Sequence, residues 1–167
     1  MKKFLAGLSI ALVPFAGHAQ DGDGAFVDTK ILKPELALEM AVAAMEDCRQ
    51  QGYQVGVAVV DRYGGLQAFI RDRFAGPHVE EIAPRKAWTA VSFRTDTLAL
   101  DRETQPGTMS AGIRDSARAL ALGGGVPVVS GDGALVAGIG VSGAPGPDLD
   151  DACARAGIAA IEAEIAF

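Results

Sequence analysis

The chain has 167 residues, with 15 basic and 21 acidic side chains and a formal charge of −6. That is enough for one ordinary domain, and its acidity argues against broad binding to nucleic-acid phosphates. The two cysteines do not form a CxxC pair, which argues against a cysteine-rich zinc or iron–sulfur site.

The chain opens with Lys2 and Lys3, an apolar block from Phe4 to Phe15, and the small residues Gly17 and Ala19. This order predicts a signal peptide over residues 1–19, cleaved between Ala19 and Gln20. The block is too short for a helix spanning a bilayer core of about 30 Å, and no other stretch reads as transmembrane. Cleavage removes Lys2, Lys3 and no acid, so the mature domain, residues 20–167, carries −8. It also removes His18, leaving His78 as the only histidine. The expected location is periplasmic or secreted, with no membrane contact after processing.

Residues 20–25 read as a polar lead. Pro34 suits the first turn of a helix, and Leu36, Met40, Ala44 and Cys48 recur at the spacing of one buried face. Gly52 ends that helix. Val55 to Ile70 is an apolar run that meets Asp61, turns over Gly64 and Gly65, and becomes apolar again, which predicts a β-hairpin. Arg71 to His78 follow as a polar loop. Glu80 to Phe93 predict a helix from which Pro84 splits a first turn. Residues 94–107 read as a connection with a short turn near Leu98 and Leu100, and Thr108 to Leu122 hold another short helix. Gly123 to Gly125 form either a ligand approach or a flexible turn. A second hairpin follows, with strands over Val126–Ser130 and Leu135–Ser142. The last helix begins after Pro147, with Asp148 as cap, Asp151 in a capping-box contact, and a small-residue face of Cys153, Ala156, Ala160 and Ala163.

Cys48 and Cys153 lie in the first and last predicted helices. Export permits a disulfide between them, and two separately buried thiols are the alternative. No HExxH, nucleophile-elbow or Walker pattern is present. Ser110 and Ser142 qualify as nucleophiles by residue type alone, and the acids Asp148, Asp150 and Asp151 are better explained by a helix start than by a metal site.

The blocks VGVAVVDRYGGLQAFIRD, RKAWTAVSF, GGGVPVVSGDGALVAGIGVSGA and DLDDACARAGIAAI, in this order, resemble the GlcG/HbpS family of haem-associated proteins, related to the C-terminal domain of PduO. The resemblance covers residues 32–165. It implies an α+β single domain, with a central antiparallel sheet of five strands flanked by helices, that assembles as a homo-oligomer. The fifth strand is expected either within 25–32 or before Val126. The resemblance also implies haem, a related tetrapyrrole or a corrinoid as ligand. An imidazole can donate to haem iron, so His78 is the candidate axial ligand. Phe74, Trp88 and Phe93 are candidates for the apolar wall, and Arg71, Arg73, Arg85 and Lys86 for propionate contacts. The functions to be weighed are haem transport, storage, protection or sensing, oxidative haem degradation with no catalytic residue assigned, and a ligand-free interaction module.

Overall fold

The computed structural model describes residues 25–167. The expected signal peptide and its cleavage site lie outside the described residues. The elements run α1 (Pro34–Gln50), β1 (Gly56–Asp61), β2 (Leu66–Arg71), α2 (Val79–Phe93), α3 (Thr97–Glu103), a 3-10 turn (Ala111–Asp115), β3 (Gly125–Val129), β4 (Leu135–Ser142), α4 (Pro147–Ala160) and α5 (Glu162–Ile165). Both hairpins fall where the alternation placed them. Among the described residues the sheet has four strands in the order β2-β1-β4-β3, all antiparallel, rather than the five expected. Residues 25–32 reach the sheet through a single backbone bond, Leu32 N–H to the Val136 carbonyl at 3.5 Å. One bond is too few to make a ladder.

The β3 edge is closed, which leaves no place for a strand beyond it. The Val141 N–H donates to the Gly124 carbonyl at 2.9 Å, so the antiparallel alternation turns the polar groups of Gly125 and Pro127 outward. Thr97 Oγ1 accepts from the Gly125 N–H at 2.7 Å and donates to its carbonyl at 3.3 Å. Pro127 has no N–H to offer.

The two sheet faces are covered differently. On one lie α1 and α4, over Val57, Val59, Ile139 and Val141, with Met40, Ala44, Ala154 and Ile161 completing an apolar core. Cys48 and Cys153 join these helices in a disulfide with a Cα–Cα distance of 5.5 Å across a sequence separation of 105. This decides for the disulfide over two separately buried thiols. The face of α4 differs from the expected one. Cys153, Ala154 and Gly157 are buried, whereas Ala160 is exposed, as is Ala163, which falls in α5. Alanine occurs all round this helix, so it marks no face. Gly157 does, because a Cβ there would lie 2.6 Å from the Met40 carbonyl oxygen.

On the other face lies α2, seated against glycines. A Cβ on Gly140 would stand 2.1 Å from the Ala83 carbonyl oxygen, and one on Gly138 would stand 2.5 Å from Val91 Cγ1. The helix answers with Ala83, Ala87 and Ala90, all fully buried. Pro84 does not split the helix, which is continuous from Val79. Pro84 is the sixth residue of the helix, and it forgoes the bond that an N–H there would make to the Glu80 carbonyl.

Replacing Gly140 with Ala should lower unfolding stability by about 2–3 kcal/mol through overpacking. Gly112→Ala, with nothing within 4 Å of the new methyl, should stay within about 0.5 kcal/mol. Urea denaturation of the two variants checks this. The Cys48→Ala/Cys153→Ala double variant should lose about 2–4 kcal/mol in the same assay.

Candidate functional site

His78 stands at the N-cap of α2, at the end of a loop held by a buried carboxylate. Asp72 is 3% exposed. Its N–H donates to the Val55 carbonyl at 2.9 Å, its carbonyl accepts from the Ala75 N–H at 3.1 Å, and its carboxylate accepts from the Arg73 N–H at 2.7 Å and from Arg49 Nε at 3.0 Å. The Arg49 bond holds the Asp72 carboxyl below the usual carboxylate range against the opposing effect of burial. Gly76 leaves room for the imidazole, since a Cβ there would stand 2.7 Å from the His78 ring.

The exposed imidazole opens onto a cleft of about 500 Å3, within the range of about 300–1,000 Å3 usual for small-molecule sites. His78, Ile82 and Lys86 recur at four-residue spacing along one side of α2 and form one wall. Leu122 and the segment from Ser142 to Pro147 form the rest, with Asp150 behind them. Lys86 is 1% exposed. Its ammonium donates to Asp150 Oδ2 at 2.7 Å and to the Val141 carbonyl at 2.9 Å. Burial pushes the Lys86 pKa down and the Asp150 pKa up, and the attraction between the two opposes both shifts. The second Asp150 oxygen, Oδ1, accepts the Ala144 N–H at 2.9 Å.

Of the residues proposed from sequence, the structure brings His78 and Lys86 to this cleft, and Lys86 is committed to Asp150. Trp88 lies about 15 Å along the helix from His78 and Phe93 about 22 Å, at 1.5 Å per residue, so neither helps to wall the cleft. Trp88 instead packs under the first hairpin turn, against Gly64, with the Arg118 guanidinium 4.6 Å from its ring centroid. Phe74 is 79% exposed, with Arg73 over its ring at 6.0 Å. Arg71 donates to Glu80 at 2.8 Å and to the Ala75 carbonyl at 3.2 Å. Arg85 is spent on the carbonyls of Arg118 and Ala119 and on Glu81. Arg73 keeps a largely exposed guanidinium, 4.0 Å from Asp72.

Sequence reasoning missed Ile82, Leu122, the Gly143–Pro147 wall and the role of Asp150. The acids at the start of α4 do not act as caps. Asp148 makes no cap bond, Asp150 pairs with Lys86, and Asp151 accepts from Arg155 Nε at 2.8 Å. The glycine run is neither a ligand approach nor a flexible turn. A Cβ on Gly124 would meet Asp150 Cβ at 2.7 Å, and one on Gly125 would meet the Lys86 carbonyl oxygen at 2.4 Å. Cavities of about 510 and 620 Å3 lie beside β3 and between residues 29–36 and the C-terminal residues 164–167, and neither is lined by a histidine. Among the described residues no cluster of three or more His, Cys, Asp or Glu side chains is arranged to hold a metal ion, and no helix is long and apolar enough to cross a membrane.

The fold thus defines a class: α+β domains with one antiparallel sheet covered by helices on both faces. The family model described as "Haem degrading protein HbpS-like" matches residues 32–159, and the chain belongs to that family. Corrinoid adenosyltransferase PduO of Salmonella typhimurium is 34% identical over 125 residues, which are 74% of this chain and 37% of PduO. The chain therefore spans little more than a third of that relative. Protein GlcG of Escherichia coli K12 is 30% identical over 112 residues, 67% of this chain and 81% of GlcG. Among solved structures, a double mutant of Streptomyces reticuli HbpS superposes with a TM-score of 0.76 at 40% identity, covering 89% of this chain and 97% of that one. The PduOC:heme complex superposes with a TM-score of 0.72 at 32% identity, covering 78% and 95%.

The Arg49–Asp72 bond should make loop anchoring depend on acid. The folded pKa of Asp72 lies below its unfolded value, so the bond contributes fully above the ordinary carboxylate range near about 3.9. Its contribution is lost as the pH falls through the lower, folded value. Asp72→Asn should therefore be less stable than wild type at pH 7, on the order of 1 kcal/mol because Arg49 reaches solvent. The difference should shrink below pH about 4. Denaturation midpoints of both proteins across that range check this.

Proposed function

We propose that this chain is an exported tetrapyrrole-binding protein whose ligand is haem, held at the cleft beside His78. The observation that carries the reading is the imidazole itself. Among the described residues it has no hydrogen-bond partner, and it stands at the mouth of a cleft with apolar walls. Membership of a family described by haem degradation and the likeness to a haem complex of PduOC support haem over other flat ligands. The cradle fits the group in its donor set. His78 would supply the iron ligand, and Ile82, Leu122, Pro145 and Pro147 would pack on the macrocycle. Haem would bring the redox chemistry. The chain's own part is to orient the ring and to keep water from one of its faces.

Export in this reading rests on the basic head, apolar block and small-residue site of residues 1–19, and it agrees with the Cys48–Cys153 disulfide. Binding serves transport, storage, protection or sensing in a homo-oligomer. A second reading, oxidative haem degradation, is favoured by the family description alone. It requires a defined open-chain tetrapyrrole product formed in a protein-dependent way.

Titrating the purified protein with haemin should give a saturable Soret band. His78→Ala should weaken binding at least tenfold, about 1.4 kcal/mol, and shift the band. Wild-type affinity and spectrum in that variant would reject ligation by His78. A wild-type protein that retains no haemin would reject the function.

A further inference from the structure

We infer that Asp150 is a positioning residue for the His78 cleft, its two carboxylate oxygens tying the Gly143–Pro147 wall to helix α2. The inference rests on the tetrapyrrole reading and deepens it. The path is short and fully hydrogen-bonded. His78 and Lys86 share one side of α2, two four-residue steps apart. Lys86 donates to Asp150 Oδ2 at 2.7 Å and to the Val141 carbonyl at 2.9 Å, just before the wall begins. Asp150 Oδ1 then accepts the Ala144 N–H, inside the wall, at 2.9 Å. One carboxylate therefore joins the helix that carries the imidazole to the backbone that faces it across the cleft.

The surroundings keep this carboxylate dry. Gly124, at φ +109°, passes so close that a Cβ would lie 2.7 Å from Asp150 Cβ and 3.0 Å from Lys86 Nζ. Gly143, at φ +127°, is held where a Cβ would strike the Gln54 carbonyl oxygen at 2.6 Å. The wall is thus pinned at its start by close packing and one residue later by Asp150. A buried ion pair is a weak source of net stability, because desolvation offsets much of its attraction. Its second oxygen does something stability alone does not require: it fixes a loop at the ligand's edge.

The discriminating variant is Asp150→Asn, which keeps the volume and removes one acceptor. The amide has one oxygen for two donors, so its NH2 must confront either the Ala144 N–H or the Lys86 ammonium. Three readouts apply to wild type and variant: far-UV circular dichroism, amide hydrogen exchange over residues 142–147, and haemin titration. With secondary structure retained, exchange at the Ala144 N–H should rise at least tenfold. The haemin dissociation constant should also rise at least tenfold, with a displaced Soret maximum. A purely structural role would lower the melting temperature and leave the wall's exchange, the affinity and the spectrum of the folded protein unchanged, which would overturn the inference. If Asp150→Asn does not fold, the Lys86→Met/Asp150→Leu double variant replaces the pair by apolar side chains of similar volume, a change folds commonly tolerate. The same three outcomes apply to it. Failure of the wild type to bind haemin sinks the tetrapyrrole reading, and the ligand-holding role with it. Unchanged exchange in a variant sinks the tie itself.

Discussion

Helix α2 lies on the sheet over a thin side-chain layer, in which Val60, Ala87 and Val91 form a small buried cluster with Leu135. Gly138 and Gly140 of β4 and Gly56 of β1 present bare backbone to Ala83, Ala87 and Val79. A single methyl at Gly140 would collide with the helix main chain. Such contact leaves the helix little freedom to slide or tilt, because interiors packed this closely accommodate little added volume. It also brings the Lys86 side chain to the end of β4 and the start of α4, where it would otherwise be too distant to reach the Val141 carbonyl and Asp150. The placement of His78 follows from the same seating, since it opens the helix that the glycines hold down.

The opposite face is built on another plan. There α1 and α4 cover valines and isoleucine in an ordinary apolar core, closed by the Cys48–Cys153 bridge. The bridge joins α1 to α4, and α4 reaches the cleft through Pro147 and Asp150 at its start. The cleft occurs where close packing ends, at the first turn of α2, with the Asp72-anchored loop on one side and the Gly143–Pro147 segment on the other.

Much of this was legible in the sequence. The two hairpins announced themselves through alternation around Gly64–Gly65 and Gly131–Gly133, and the buried face of α1 through the spacing of Met40, Ala44 and Cys48. Within the site, His78 and the loop before it stood out because imidazole and guanidinium are rare and chemically distinctive. Other features depended on distances the sequence does not encode. Asp150 resembles a helix-capping acid until Lys86, 64 residues earlier, is seen against it. Thr97 falls within a stretch read as a connection, and its closing of the β3 edge appears only when Gly125 lies beside it. Trp88 and Phe93 were attractive as pigment-stacking rings by residue type, but the helical rise carries them away from His78. The strand glycines look like turn residues, and their use as a seat for α2 requires knowing which face the helix covers.

The account stands on one spatial claim: that a flat pigment sits between the first turn of α2 and the Gly143–Pro147 segment, with the His78 imidazole turned toward its metal. A crystal structure of the protein grown with haemin tests it most directly. The account predicts electron density for the macrocycle in that cleft and an unbroken link from His78 to the iron. Haemin lodged instead in the groove beside β3 or between residues 29–36 and the C-terminal residues, with His78 free, would contradict it.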